Sequence, residues 1–252
     1  MALSPRRAAR ARWALPLASL AGLSALALPA SASTPGRGTA SLSAKTIVSD
    51  ALKALGAAKT LRIAGTIHTG AASVTLDVES VTGGARASGV MRSSTQQLGF
   101  VGSLAFIHLD GASYVKADKA FWRSASGKAP AARVVNALAN RWIHLDGKTG
   151  SELSASLQLV TSPAALAGSL LSSARSAKQL TKERPTRLGD REVVPVRSSV
   201  GGTLYVAATG APLPLEIAKP TGADSGTLVF SYPRTVRVGA PSGAKSFSAL
   251  AG

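Results

Sequence analysis

Cysteine is absent from this chain. That excludes a disulfide framework and the lipid-modified cysteine of a bacterial lipoprotein, so a secreted domain of this kind rests on its core alone. Histidine is nearly absent too: His68, His108 and His144 each stand alone in a strand-like segment. None has a histidine, cysteine or carboxylate at ligand spacing, so no metal site is expected. The many serines then have no well-placed base to activate them, and no G-x-S-x-G occurs. No catalytic residue and no cofactor are assigned. Acids are scarce, 12 against 29 Lys and Arg, and aromatics make up 4% of the chain. The cations are scattered singly rather than gathered among base-stacking aromatics, which argues against nucleic acid as a partner.

The one long apolar run is Trp13–Leu28, preceded by Arg6, Arg7, Arg10 and Arg12 and followed by Ala30-Ser31-Ala32. A positive, then apolar, then small-residue order is that of a secretory signal peptide. The run is shorter than the ~20 residues of a membrane span. Residues around Arg6-Arg7 do not support twin-arginine export, so residues 1–32 are read as a cleavable Sec signal. Residues 33–41 read as a flexible leader, 42–241 as a single domain and 242–252 as a C-terminal tail. The protein is expected outside the cytoplasm, in the cell envelope, as a monomer without a lipid anchor. Its remaining charge of roughly +13 suits an anionic membrane surface or wall polymer, or simply solubility in an arginine-rich proteome.

Apolar residues at helical spacing (Ile47, Val48, Ala51, Leu52, Leu55) predict a helix over 41–58, with Ser43 as its cap. From Leu61 the period changes to two, which predicts strands with one buried and one wet face. Strands are expected at 61–68, 74–79, 85–92, 96–101, 104–109 and 113–117. Asp110-Gly111 between apolar runs is the sharpest hairpin signal. Residues 121–128 read as irregular, 130–140 as a short helix, 141–145 as extended and 150–175 as helical. The closing strands fall at 178–183, 192–199, 203–208, 213–219, 227–232 and 235–238. Helix, meander, helices, meander is an α+β order.

Several motifs are decoys. Ser113-Tyr114-Val115-Lys116 and Ser242-Gly243-Ala244-Lys245 match S-x-x-K, and Lys148-Thr149-Gly150 matches K-T-G. Residues spaced like Ser113 and Lys116 point to opposite faces of a strand. Gly147-Lys148-Thr149 ends like a phosphate-binding loop, but Trp142 stands where that loop needs glycine. Ile107-His108-Leu109-Asp110-Gly111 recurs as Ile143-His144-Leu145-Asp146-Gly147, which reads as coincident strand-then-turn chemistry.

A set of structural segments carries a family likeness. These are Ala51–Leu55 leading into Leu61–Gly65, Ser113-Tyr114-Val115-Lys116 followed by Phe121-Trp122, Arg141-Trp142-Ile143, and Leu204-Tyr205-Val206. Thr209–Leu215, Leu228–Ser231 and Ala240-Pro241 complete it. With these segments the chain resembles the LppX/LprG-type lipid carriers of actinobacterial envelopes, over nearly all of 42–241, though it lacks that family's lipobox cysteine. The resemblance implies a LolA-like fold: a curved antiparallel β half-barrel with helices covering its concave face. It also implies a non-enzymatic carrier whose partner is a lipid or lipid conjugate. Candidate apolar contacts are Leu104, Phe106, Val134, Leu138 and Phe230, with Leu166 and Leu170 on a lid helix over 164–175. Lys116, Lys119 and Arg123 are candidates for an anionic headgroup. The competing readings are an extracytoplasmic interaction or sensory domain without lipid, and a hydrolase of unknown type.

Overall fold

The computed structural model describes residues 38–81, 85–96, 100–125, 131–161, 165, 179–199, 201–222 and 225–251, with 156–161 and 251 in backbone only. The architecture is that of the unit Gly36–Gly252. Residues 1–32, read from sequence as a signal peptide, and the lid candidates Leu166 and Leu170 lie outside the described residues.

After a 3-10 turn at Thr39–Ser41, helix α1 spans Ala44–Ala57. Ser43 caps it, its Oγ accepting the Thr46 amide at 3.2 Å. The expected stripe is its buried face: Ile47, Val48, Ala51 and Leu55 are at most 4% exposed.

The strands follow as β1 (Thr60–Thr69), β2 (Ala72–Val81), β3 (Arg86–Ser93), β4 (Gly102–Leu109) and β5 (Ala112–Ala117). Helices α2 (Lys119–Ser124) and α3 (Ala132–Leu138), strand β6 (Ile143–His144) and helix α4 (Gly147–Thr161) come next. The second meander is β7 (Leu180–Lys182), β8 (Thr186–Leu188), β9 (Arg191–Ser198), β10 (Thr203–Ala207), β11 (Pro214–Lys219) and β12 (Gly226–Ser231). Strand β13 (Lys245–Ser246) and helix α5 (Phe247–Ala251) close the chain.

All strands join one open sheet in the order β13-β6-β5-β4-β3-β2-β1-β12-β11-β10-β9-β7, with β8 also on β9. Every described pairing is antiparallel except β6–β13. The long β1–β12 pairing joins the two meanders in the middle of the sheet. At Gly65 the strands close so tightly that a Cβ would collide with the Thr227 carbonyl. Asp110 and Gly111 both take positive φ, 47° and 89°, as a two-residue hairpin turn of this type requires. At one edge, Glu183-Arg184-Pro185 interrupts the strand formed by β7 and β8, and charges with a proline there discourage further pairing.

The fold class is as expected: α+β, an open, largely antiparallel sheet with helices over one face. Three local expectations change. Residues 119–124 are helical because the Asp118 carboxylate caps them, accepting the Phe121 amide at 2.8 Å. The strand expected at 235–238 joins no ladder. Residues 245–251, within the segment read as a tail, form β13 and α5.

Candidate functional site

Directly opposed residues of an antiparallel pair share a face, so the register sorts the sheet into inward rows. One row runs Phe230, Ile63, Val78, Gly89, Phe106, Val115 and Ile143. The next runs Leu228, Gly65, Leu76, Met91, Leu104 and Ala117. Their side chains are at most 4% exposed and form one core with the buried faces of α1, α2 and α3. The opposite face carries polar pairs such as Arg62, which holds Asp77 through both its Nε and Nη2 at 2.7 Å. That contact raises the guanidinium pKa and lowers the carboxyl's.

A third inward row is different. It runs Leu61, Ser80, Ala87, His108 and Ser113, at the end of the sheet nearest the Asp110-Gly111 turn. His108 Nδ1 lies 3.0 Å from Ser113 Oγ, and Ser113 Oγ lies 2.7 Å from Ser154 Oγ on α4. Ser113 is 7% exposed, and its carbonyl also accepts the Leu145 amide at 2.8 Å. The inward face thus passes from two apolar rows to a hydroxyl and imidazole row under a helix.

The coverings of this face differ in kind. Helix α1 lies against β7, β9 and β11 with a continuous apolar stripe. Helix α4 lies on β3 and β4, yet its sequence begins Gly-Lys-Thr-Gly-Ser-Glu-Leu-Ser-Ala, and Leu153 is the apolar side chain that its described part packs on the core. Next to it, Phe121 and Trp122 on α2 meet edge-on at 5.1 Å between ring centroids, and Phe247 of α5 stacks on Trp122 at 6.1 Å. The Trp122 indole N–H is buried without an acceptor among the described residues, a costly condition for a polar group. Asp146 Oδ1 accepts the Ser248 amide at 2.8 Å and so holds the start of α5. Hydrogen bonds from Ser248 and then Ser246 hold the Asp146 carboxyl down at about 2.

Of the residues proposed from sequence, Leu104, Phe106 and Phe230 converge on the inward face and are at most 2% exposed. Leu138 is buried on α3, and Val134 is half-buried against the same core. The cations do not join them. Lys116 lies on the outward face, opposite Ala105, and is exposed; Lys119 and Arg123 are exposed on α2. Ser113 and Lys116 therefore point to opposite faces, as strand geometry requires. The two Ile-His-Leu-Asp-Gly copies also differ: Ile143 faces the core, whereas Ile107 sits on the outward face.

The sequence shows no base placed to activate a serine, and the structure places His108 beside Ser113. The signal was available. A two-residue turn at Asp110-Gly111 pairs Leu109 with Ala112, and therefore His108 with Ser113. Among the described residues no group of three or more His, Asp or Glu gathers as a metal site. No described helix is long and apolar enough to cross a membrane.

No protein-family model matches the chain, and no curated protein matches it significantly. Solved structures similar to it include LprF from Mycobacterium bovis, with 12% identity and a TM-score of 0.46 over 79% of this chain and 97% of that one. The lipoprotein LppX from Mycobacterium tuberculosis has 18% identity and a TM-score of 0.44, over 78% and 98% respectively. An uncharacterized conserved protein from Thermus thermophilus has 12% identity and a TM-score of 0.34, over 81% and 98%.

Proposed function

We propose that this protein is a secreted, non-enzymatic carrier of the cell envelope that binds a lipid or lipid conjugate by its apolar part. The observation that carries the reading is the contrast between the inward face and its cover at β3 and β4. Two adjacent apolar rows run across most of the open sheet, while α4, which lies on β3 and β4, is small and polar in its described side chains apart from Leu153. A cover that contributes little apolar burial costs little to displace, and what it uncovers is surface that water disfavours. Sequestering one sixteen-carbon acyl chain there contributes about 13 kcal/mol gross, at ~0.8 kcal/mol per methylene. The likeness of Ala51–Leu55, Ser113–Trp122 and Thr209–Leu215 to LppX/LprG-type carriers supports the same reading.

The positive charge left after residues 1–32 favours approach to an anionic membrane or wall polymer, where such a ligand is taken up or delivered. Exposed Lys116, Lys119 and Arg123 contribute to that approach from outside the sheet's inward face. The test is lipid transfer: pyrene-labelled phospholipid is placed in donor vesicles, and its arrival in acceptor vesicles is followed with and without the delipidated protein. The reading predicts a transfer rate that rises with protein concentration. An unchanged rate, with one stoichiometric protein partner recovered from envelope extract, favours the interaction-domain alternative.

A further inference from the structure

We infer that His108, Ser113 and Ser154 bind the polar end of the ligand, and that this end is an uncharged, hydroxyl-bearing group of the glycerol or sugar kind. The inference rests on the lipid-binding reading above and adds where the headgroup sits and what chemistry it has.

Position comes from the register. His108, Phe106 and Leu104 are successive inward residues of β4, and Ser113, Val115 and Ala117 are their partners on β5. Along this pair the inward face changes from imidazole and hydroxyl to wholly apolar within about 13 Å. The polar row lies beside the hairpin turn at the rim of the sheet, and the apolar rows lead inward from it. An amphiphile has one favourable orientation on such a face: headgroup at the rim between β4–β5 and α4, chain along Phe106 and Leu104. A polar group placed deeper would lose its hydrogen bonds to water without replacement.

Chemistry comes from counting protons. The neutral imidazole and the two hydroxyls hold three protons between them, and the two hydrogen bonds of the chain use two. If Ser113 donates to Nδ1 and Ser154 donates to Ser113, the chain ends in an Nε2–H donor and a Ser154 acceptor. If Nδ1–H donates to Ser113 and the chain reverses, Ser154 becomes the open donor and Nε2 the acceptor. Either way one donor and one acceptor remain, at opposite ends of a unit that can reverse. A hydroxyl, which gives one hydrogen bond and accepts others, satisfies both ends. An ionised carboxylate or phosphate only accepts and satisfies one. The exposed cations Lys116, on the outward face, and Lys119 and Arg123, on α2, do not belong to this row.

The experiment compares ligands that share a sixteen-carbon chain: 1-monopalmitoylglycerol, hexadecyl glucoside and the hydroxyl-free methyl palmitate. Each is titrated into the delipidated secreted protein and read by native mass spectrometry. One or both hydroxylated ligands are expected to bind more tightly than methyl palmitate, and the tighter of the two identifies glycerol or sugar as the source. Ser154→Ala and Ser113→Ala are each expected to weaken the hydroxylated ligand about three- to ten-fold while leaving methyl palmitate unchanged, and Ser154→Thr to restore it. Equal binding of all three ligands by the unmodified protein, or equal losses for all three in the alanine variants, overturns the headgroup site and leaves the carrier reading standing. Failure of the unmodified protein to bind any of them overturns both.

Discussion

Phe106→Ala tests the face assignment on which the account is built. Phe106 is 2% exposed, sits mid-strand between Gly89 and Val115, and belongs to the row that continues through Val78 and Ile63 to Phe230. Removing its ring from a packed interior costs about 3–5 kcal/mol, from lost transfer energy and the space left behind. In a domain of this size a loss of 1 kcal/mol lowers Tm by about 2–4 °C, so the variant should melt ~6–20 °C below the parent. Val90, on the neighbouring strand but facing outward, is 44% exposed and is the control; Val90→Ala should stay within about 0.5 kcal/mol. Both variants are measured delipidated, by near-ultraviolet circular dichroism on heating and by urea unfolding. A Phe106→Ala loss below about 1 kcal/mol, or an equal loss at Val90, refutes the assignment of inward and outward rows. Added lipid should return part of the Phe106→Ala loss, because ligand bound only to the folded state stabilises it.

Further outcomes follow from other parts of the molecule. Asp146 has its carboxyl depressed to about 2 against an ordinary value of 3.8, so its support of α5 is fully present above pH ~4 and is lost as pH falls through ~2. Hydrogen exchange at the Ser248 amide should therefore stay slow at pH 4 in the parent but be faster there in Asp146→Ala, whose side chain has no acceptor; equal protection in the two proteins contradicts the cap. Gly89→Ala should destabilise the β2–β3–β4 region by about 1–3 kcal/mol, because the new methyl would press on the Val78 side chain and the Asp77 carbonyl, and unchanged urea unfolding refutes that packing. Ser113 should not be labelled by a fluorophosphonate, because its hydroxyl is buried and no carboxylate among the described residues hydrogen-bonds His108. Covalent labelling that is abolished by Ser113→Ala would revive the hydrolase reading.

The legible parts of this fold are those written in local chemistry. Ser43 before an i, i+3, i+4 stripe yields α1, and Asp110-Gly111 yields a hairpin whose register follows from the turn. Less legible were elements held by tertiary contacts. Helix α2 is only six residues long and depends on one aspartate cap. Strand β13 pairs two residues with distant Ile143 and His144, and α5 depends on Asp146 far away in sequence. Residues 235–238 alternate like a strand but find no neighbour, because β12 already lies between β1 and β11.

The site divides the same way. Leu104, Phe106 and Phe230 followed from the period of two, which settles the face once one residue is placed. Lys116, the headgroup candidate next to Val115 in sequence, lies by the same period on the other side of the sheet. His108 and Ser113 could have been paired from the hairpin alone. Ser154 could not, because its meeting with Ser113 depends on how α4 lies across β3 and β4.

The most direct test of the carrier claim is native mass spectrometry of the protein as secreted by an actinobacterial host, followed by solvent extraction and identification of what is released. The account predicts a co-purified lipid or lipid conjugate at near one-to-one ratio, removed by extraction and regained on exposure to envelope lipids. A clean unliganded mass that takes up none of the lipids offered would contradict it.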